Sequence, residues 1–209
     1  QQPLLGLHDA TIHLFPSIVG LQVAVDSALL WATDTIFMKG PDKFGLTADM
    51  MAAIYLYTLD ALYSPLNSVL RDADRRKAQP YFFYIRLFVA ALDMLPSFEG
   101  VVYRGVKQDL TDKYKKGREL YDWSFQSATV EGELLTDETF MGSTGNRSLF
   151  SYDITCGKDI SSYSAYQTEK EVLIPSGFKW QVGNSMQIPG SNGLTLYSMV
   201  QKSSISSLI

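Results

Sequence analysis

Apolar residues recur at intervals of three and four in the first part of the chain. Leu21, Val25, Ala28, Leu29 and Ala32 form one stripe, which predicts a helix over residues 9–39. The longest apolar stretch, Ile18 to Ile36, is interrupted by Asp26 and Asp34, so it predicts a buried helix rather than a membrane span. A loop, GPDKFG, follows at Gly40–Gly45, and Thr47 is placed to cap a helix through MMAAIYLYT. Ser64-Pro65 has the form of a cap followed by proline at the first helical position, with the helix running to about Asp72. Pro80 opens a third apolar helix, YFFYIRLFVAALDML, which Pro96 stops.

The period changes after Phe98-Glu99-Gly100. Val101-Val102-Tyr103 is a strand signal, TDKYKKG predicts one or two helical turns, and Tyr121–Thr129 alternates large and small residues like a strand. A short helix is expected over Thr136–Met141, ended by Gly142. Strands are expected at residues 148–155, 169–174, 178–182 and 194–200, separated by Gly, Ser, Asn or Pro turns. Helices first and strands second predict an α+β fold. No internal repeat or low-complexity linker divides it, and the helical half is too apolar to stand free. One domain over 1–209 is expected, with 1–97 mainly helical and 98–209 mainly strands.

Composition narrows the chemistry. With 209 residues and 46% hydrophobic content, the chain can bury a sizeable core. A net charge of −4 gives no general attraction to nucleic acid or anionic membrane. A single cysteine, Cys156, excludes an internal disulfide and a cysteine-based metal site. With only His8 and His13, a histidine-ligated zinc or a histidine-based triad is not expected. No signal peptide or transmembrane segment is visible, and a cytoplasmic monomer is the expectation. The chain begins with Gln1, as an excised or processed domain would. The cluster Arg71, Arg75, Arg76 and Lys77 reads as a solvated helix end and turn.

Three short pieces on the strand-rich half carry possible chemistry. In YSAYQTEKEVLIP, Glu169 and Glu171 flank Lys170 and lead into Val172-Leu173-Ile174. If all lie in one strand, the two carboxylates share a face, with their Cα atoms about 6–7 Å apart. Such a wall attracts a cation or a cation-like transition state; the pair is equally a solvated strand entrance. Arg104, at a strand end beside Gly105, can present its fork to a diphosphate while the glycine admits a ligand to the backbone. It is equally a surface salt-bridge residue. Ser127 and Thr129 set two hydroxyls on one strand face, which is also what an ordinary polar face looks like.

In this order the three pieces resemble the arginine–serine–glutamate class of ADP-ribosyltransferases, and more narrowly its eukaryotic arginine-specific branch, which is similar to the clostridial-type toxins. The resemblance takes in LTADMMAAIYLYT, VVYRGV, WSFQSAT, FMGSTGNRSLF and YSAYQTEKEVLIP, with gaps of 23 residues from Arg104 to Ser127 and 42 from Ser127 to Glu169. It implies an N-terminal helical layer on a two-sheet β core, and NAD as co-substrate with no metal. It also implies an arginine-bearing acceptor protein and transfer of ADP-ribose with release of nicotinamide. By the same resemblance, Arg104 matches the arginine that binds NAD phosphate. Ser127 opens the Ser-x-Ser/Thr motif that orients the catalytic glutamate, and Thr129 keeps a hydroxyl where many relatives have serine. Glu171 matches the catalytic glutamate of Glu-x-Glu, and Glu169 the upstream acid associated with arginine as acceptor. Residues from about Ile160 to Thr168 match the acceptor-presenting loop. Ser143-Thr144-Gly145 imitates the serine motif but lacks the lead-in of Trp123 and Phe125. The rival readings are an NAD glycohydrolase, with water as acceptor, and a catalytically silent domain of the same fold.

Overall fold

The computed structural model describes residues 3–132 and 141–204. The chain is a mixed helix and sheet protein that divides into two compact units, Gln1–Pro96 with Ile160–Gln167, and Ser97–Asp159 with Thr168–Ile209.

The first unit is helical. Its helices are α1 (Leu7–Thr11), α2 (Leu21–Lys39), α3 (Ala48–Tyr57), α4 (Asp60–Arg71) and α5 (Phe82–Met94). The stripe on α2 is real: Leu21, Val25, Ala28 and Ala32 are buried at successive turns. The continuous helix expected over 9–39 is not formed. Pro16 has no N–H to extend a helix, and Gly20, at φ 78°, adopts a left-handed conformation that glycine takes at little cost. Thr47 caps α3 as expected, its hydroxyl accepting from the Met50 N–H at 3.3 Å. Helix α4 begins at Asp60, earlier than the Ser64-Pro65 signature predicts, and Pro65 lies inside it. Starting at Asp60 brings Leu62 and Leu66 onto one buried face. Burying a leucine is worth about 1.5–3 kcal/mol, enough to offset much of what an internal proline costs. Arg76 and Lys77 are neutralised by Asp74 and Asp72, at 2.8 and 2.5 Å, in keeping with a solvated helix end. Tyr57 and Phe88 stack at 4.8 Å between α3 and α5, and the Tyr84 hydroxyl donates to the Ala53 carbonyl at 2.9 Å.

The segment 160–167 belongs with this helical unit. The Tyr163 hydroxyl donates to Asp42 at 2.7 Å, and the Ala165 N–H donates to the Thr58 hydroxyl at 3.0 Å.

The second unit is the β core. Its strands are β1 (Ser97–Val106), β2 (Glu119–Asp122), β3 (Gln126–Thr129), β4 (Arg147–Asp159), β5 (Glu171–Ile174), β6 (Phe178–Gln187) and β7 (Leu194–Ser204). Hydrogen bonds link them in the order β1-β3-β5-β4-β7-β6-β2, and β1 also pairs with β4. Strands β1, β3, β5 and β4 therefore close a ring, and β7, β6 and β2 extend from β4. Every pairing is antiparallel except β4 with β7. Strand β5, paired on both edges by β3 and β4, is buried along its whole length: Val172 and Ile174 pack into the β core and Leu173, on the other face, is fully buried, which accounts for the run Val172-Leu173-Ile174. The core is aromatic: Phe150 stacks on Tyr197 at 5.1 Å, and Tyr152 meets Trp180 edge-on at 4.9 Å.

Three expectations need correction here. The strand over 121–129 is two strands, because Asp122 accepts from the N–H and hydroxyl of Ser124 at 3.3 and 3.0 Å, a turn that carries the chain from β6 over to β5. TDKYKKG forms no helix. Lys113 and Tyr114 both donate to the Leu110 carbonyl in one closed turn, and Gly117 then pairs with Val182. Residues 169 and 170 are not strand: Gln167–Glu169 is a single 3-10 turn, and β5 begins only at Glu171. The short helix expected over Thr136–Met141 lies outside the described residues except at its last position.

Candidate active site

Register builds the site. Tyr103 of β1 pairs with Thr129 of β3, and Thr129 pairs with Glu171 of β5. The three residues form a row across adjacent strands, each about 4.5–5.5 Å from the next. Ser127, two residues from Thr129, lies on the same face of β3. It is opposite Leu173, so Ser127 and Glu171 are diagonal neighbours, within about 7–8 Å. One hydroxyl and one carboxylate thus converge without any loop being involved.

Around that row opens a cleft lined by Tyr103, Arg104, Gly105, Ser127, Ala128, Thr129, Glu169 and Glu171. It is an open cleft, with about 350 Å³ of space when the adjoining solvent is counted. All the residues picked out in the sequence therefore meet at one place. Arg104 donates from Nη1 to the Ser127 carbonyl at 2.7 Å, tying β1 to β3. Gly105 lines the cleft, and a Cβ there would stand 2.8 Å from the Cβ of Met141, so any larger residue would displace that neighbour.

The two glutamates differ in surroundings. Glu171 is 6% exposed at the start of β5. Glu169 is half-buried at the end of its 3-10 turn, and burial raises its carboxyl above the ordinary 4.5. They do not share a strand face as neighbours on one pleat, because Lys170 between them has φ 49°. Both nevertheless line the cleft. The Thr129 hydroxyl donates to the Glu169 carbonyl at 3.0 Å and accepts from the Glu131 N–H at 3.1 Å.

Tyr103 and Ala128 are cleft residues that the chemistry of the sequence does not single out; their only signal is adjacency to Arg104 and Ser127. Ser143-Thr144-Gly145 does not line the cleft. It belongs to a turn held by buried Arg147, which donates to the carbonyls of Gly142, at 2.7 Å, and Gly145, at 3.1 Å. Among the described residues no group of three or more His, Cys, Asp or Glu is placed to hold a metal ion. No helix of the described residues is long and apolar enough to cross a membrane.

Comparison with known proteins gives the family. The family model described as NAD:arginine ADP-ribosyltransferase matches residues 27–204. A Mycobacterium avium (strain 104) protein assigned as an NAD(+)–arginine ADP-ribosyltransferase, Mav, is 31% identical over 159 residues, covering 75% of this chain and 18% of the relative. The NAD(+)–protein-arginine ADP-ribosyltransferase Tre1 of Serratia proteamaculans (strain 568) is 28% identical over 151 residues, covering 71% of this chain and 32% of the relative. The chain thus spans less than a third of the length of either. The crystal structure of the eukaryotic mono-ADP-ribosyltransferase ART2.2 shares the fold, with a TM-score of 0.70 at 20% identity, over 95% of this chain and 84% of that one. The chain belongs to the NAD:arginine ADP-ribosyltransferase family.

Proposed function

We propose that this chain transfers the ADP-ribosyl group of NAD to arginine side chains of acceptor proteins, releasing nicotinamide. The observation that carries this reading is the convergence of Arg104, Ser127, Glu169 and Glu171 on one cleft, around the row Tyr103–Thr129–Glu171. The names of both curated relatives support NAD and arginine as the reactants. We take 1–209 as one catalytic domain, because the family match runs through both compact units. Within the β core, the closed ring and the strands that extend from it would serve as the two sheets of the family fold. The enzyme would act as a monomer, with no nucleic acid and no metal.

In this reading Arg104 and Gly105 hold the diphosphate side of NAD. Ser127 and Thr129 border the nicotinamide ribose, where Ser127 orients Glu171. The bond from the ribose anomeric carbon to the nicotinamide nitrogen breaks, and its electron pair leaves with nicotinamide. Positive charge develops on the ribose as an oxocarbenium ion. The carboxylate of Glu171 stabilises that charge, as in glycoside hydrolysis. A guanidinium nitrogen of the acceptor then bonds to the anomeric carbon. The guanidinium arrives protonated, since its pKa is above about 12. Glu169 pairs with it and takes up the proton released as the new bond forms. The same carbon is open to water, which would give NAD hydrolysis instead.

The test is incubation with NAD and an arginine-containing acceptor, followed by mass spectrometry. A mass increase of one ADP-ribosyl group on arginine supports the transferase. Nicotinamide release with unmodified arginine would favour the glycohydrolase. Neither product from a protein that binds NAD would favour the silent domain.

A further inference from the structure

Between the two glutamates stands a lysine in a backbone conformation that lysine rarely takes. Lys170 has φ 49°; the other non-glycine residue with positive φ among those described is Asn192, a residue type that tolerates the left-handed region. Lys170 is exposed, so packing of its side chain does not impose the conformation. The constraint comes from both sides along the chain. On one side, the Thr129 hydroxyl holds the Glu169 carbonyl at 3.0 Å. On the other, the backbone of Thr129 pairs in register with Glu171. One threonine thus fixes the residue before Lys170 and the residue after it. The chain must pass from a 3-10 turn into a strand across a single residue. A left-handed residue makes that reversal, as it does after many helix ends. An extended conformation at 170 would continue β5 backwards and draw the Glu169 carbonyl off Thr129.

We propose that Lys170 is a positioning residue whose left-handed backbone, rather than its ammonium group, places Glu169 at the cleft beside Glu171 and so sets the division of ADP-ribose between arginine and water. This rests on the transferase reading given above. Glu171 is held by the strand ladder whatever residue 170 is. Glu169 is held by one hydrogen bond and one turn. A change at 170 therefore falls on the acceptor side of the reaction and leaves the ribose side intact.

The experiment compares Lys170→Gly, Lys170→Asn and Lys170→Val with wild type, using labelled NAD with agmatine as the guanidine acceptor. Guanidine modification, NAD hydrolysis, KM for NAD and melting temperature are measured on each preparation. Glycine and asparagine both adopt positive φ and both lack the ammonium. They are expected to keep the ratio of transfer to hydrolysis within about twofold of wild type. Valine is β-branched and disfavours that conformation. It is expected to lower the ratio severalfold, because β-branching adds to the left-handed cost that lysine already bears, with KM for NAD little changed. A lower ratio in valine with KM for NAD and melting temperature close to wild type, and its recovery in asparagine, is the result a merely structural position would not give. Equal loss in all three variants would assign the effect to the ammonium and overturn the proposal. An unchanged ratio in valine, or equal loss of both activities there, would overturn it too. A wild-type chain that neither hydrolyses NAD nor modifies agmatine would instead remove the transferase reading itself, and this partition with it.

Discussion

The guanidinium of Arg104 donates to the main-chain carbonyl of Ser127 at 2.7 Å, so the residue proposed to hold NAD phosphate also ties the strand that carries the serine motif. A lysine at 104 would supply a charge but not a planar fork able to serve a carbonyl and a ligand together. Arg104→Lys is expected to weaken NAD binding about 10- to 100-fold, the range for loss of a charge-assisted hydrogen bond. Titration calorimetry checks this. Unchanged affinity would leave Arg104 with only its structural bond to β3.

Glu171 stands in register with Thr129 and is nearly buried. Glu171→Gln keeps the shape and removes the charge that would face the developing oxocarbenium ion. Turnover is expected to fall by at least about 100-fold for both arginine modification and NAD hydrolysis, the scale on which removal of one transition-state contact is felt. Melting temperature and NAD affinity should stay close to wild type. Normal hydrolysis by this variant would remove Glu171 from the ribose.

How much of this was legible in the chain depends on the range of the forces involved. The stripe Leu21, Val25, Ala28 and the cap at Thr47 are local signals, and both appear in the structure. The start of α4 at Asp60 is set by burial of Leu62 and Leu66, which no cap residue announces. The break between β2 and β3 was visible in principle as Asp122-Trp123-Ser124, an aspartate two residues before a serine, but strand-like alternation concealed it. Arg104, Ser127, Glu169 and Glu171 were legible through the resemblance to a family, whereas the register that brings them together, Tyr103 with Thr129 and Thr129 with Glu171, pairs strands far apart in the chain and is not. The turn at Lys170 was not, because lysine gives no sign of a left-handed backbone; the cause lies at Thr129, 41 positions away. The attachment of 160–167 to the helical unit was equally hidden, since Tyr163 meets Asp42 across 121 positions.

That last contact carries its own prediction. Burial pushes the Asp42 carboxyl up, but the Tyr163 hydroxyl and the N–H groups of Phe44 and Leu46 pull it down further, and it settles below its ordinary 3.8. A lowered carboxylate stabilises the fold above its unfolded value, and that stabilisation is lost as pH falls through the lower folded value. Tyr163→Phe removes one of these hydrogen bonds. It is expected to cost about 1 kcal/mol near neutral pH, the size of an ordinary hydrogen bond and less than one to a buried charge, because solvent screens this partly exposed site. Thermal melts at neutral pH and well below 3.8 test the sign: the gap between variant and wild type should shrink in acid. A gap that does not narrow would mean Tyr163 acts through packing alone.

Glu169 gives the prediction that separates transferase from glycohydrolase. It lines the same cleft as Glu171 but hangs from a 3-10 turn rather than the strand ladder, so the two carboxylates are held by different means. If Glu171 faces the ribose, Glu169 stands toward the incoming guanidinium. Glu169→Gln should therefore reduce arginine modification at least about tenfold more than NAD hydrolysis, the size of effect that loss of a charge-assisted pair gives. Burial raises the Glu169 carboxyl above 4.5, so transfer should rise with pH through a value higher than that, while hydrolysis need not follow the same limb. The sign for stability is opposite to that of Asp42. The folded state favours the protonated form of Glu169, so ionisation destabilises the fold as pH rises past 4.5 and through the raised value. Glu169→Gln should accordingly melt no lower than wild type near neutral pH, with the difference vanishing in acid, where both side chains are neutral. Rates of transfer and hydrolysis measured on one preparation across that range decide the matter. Equal loss of both rates would make Glu169 a general support of the site, and retention of both would make it a partly buried carboxylate with no part in choosing the acceptor.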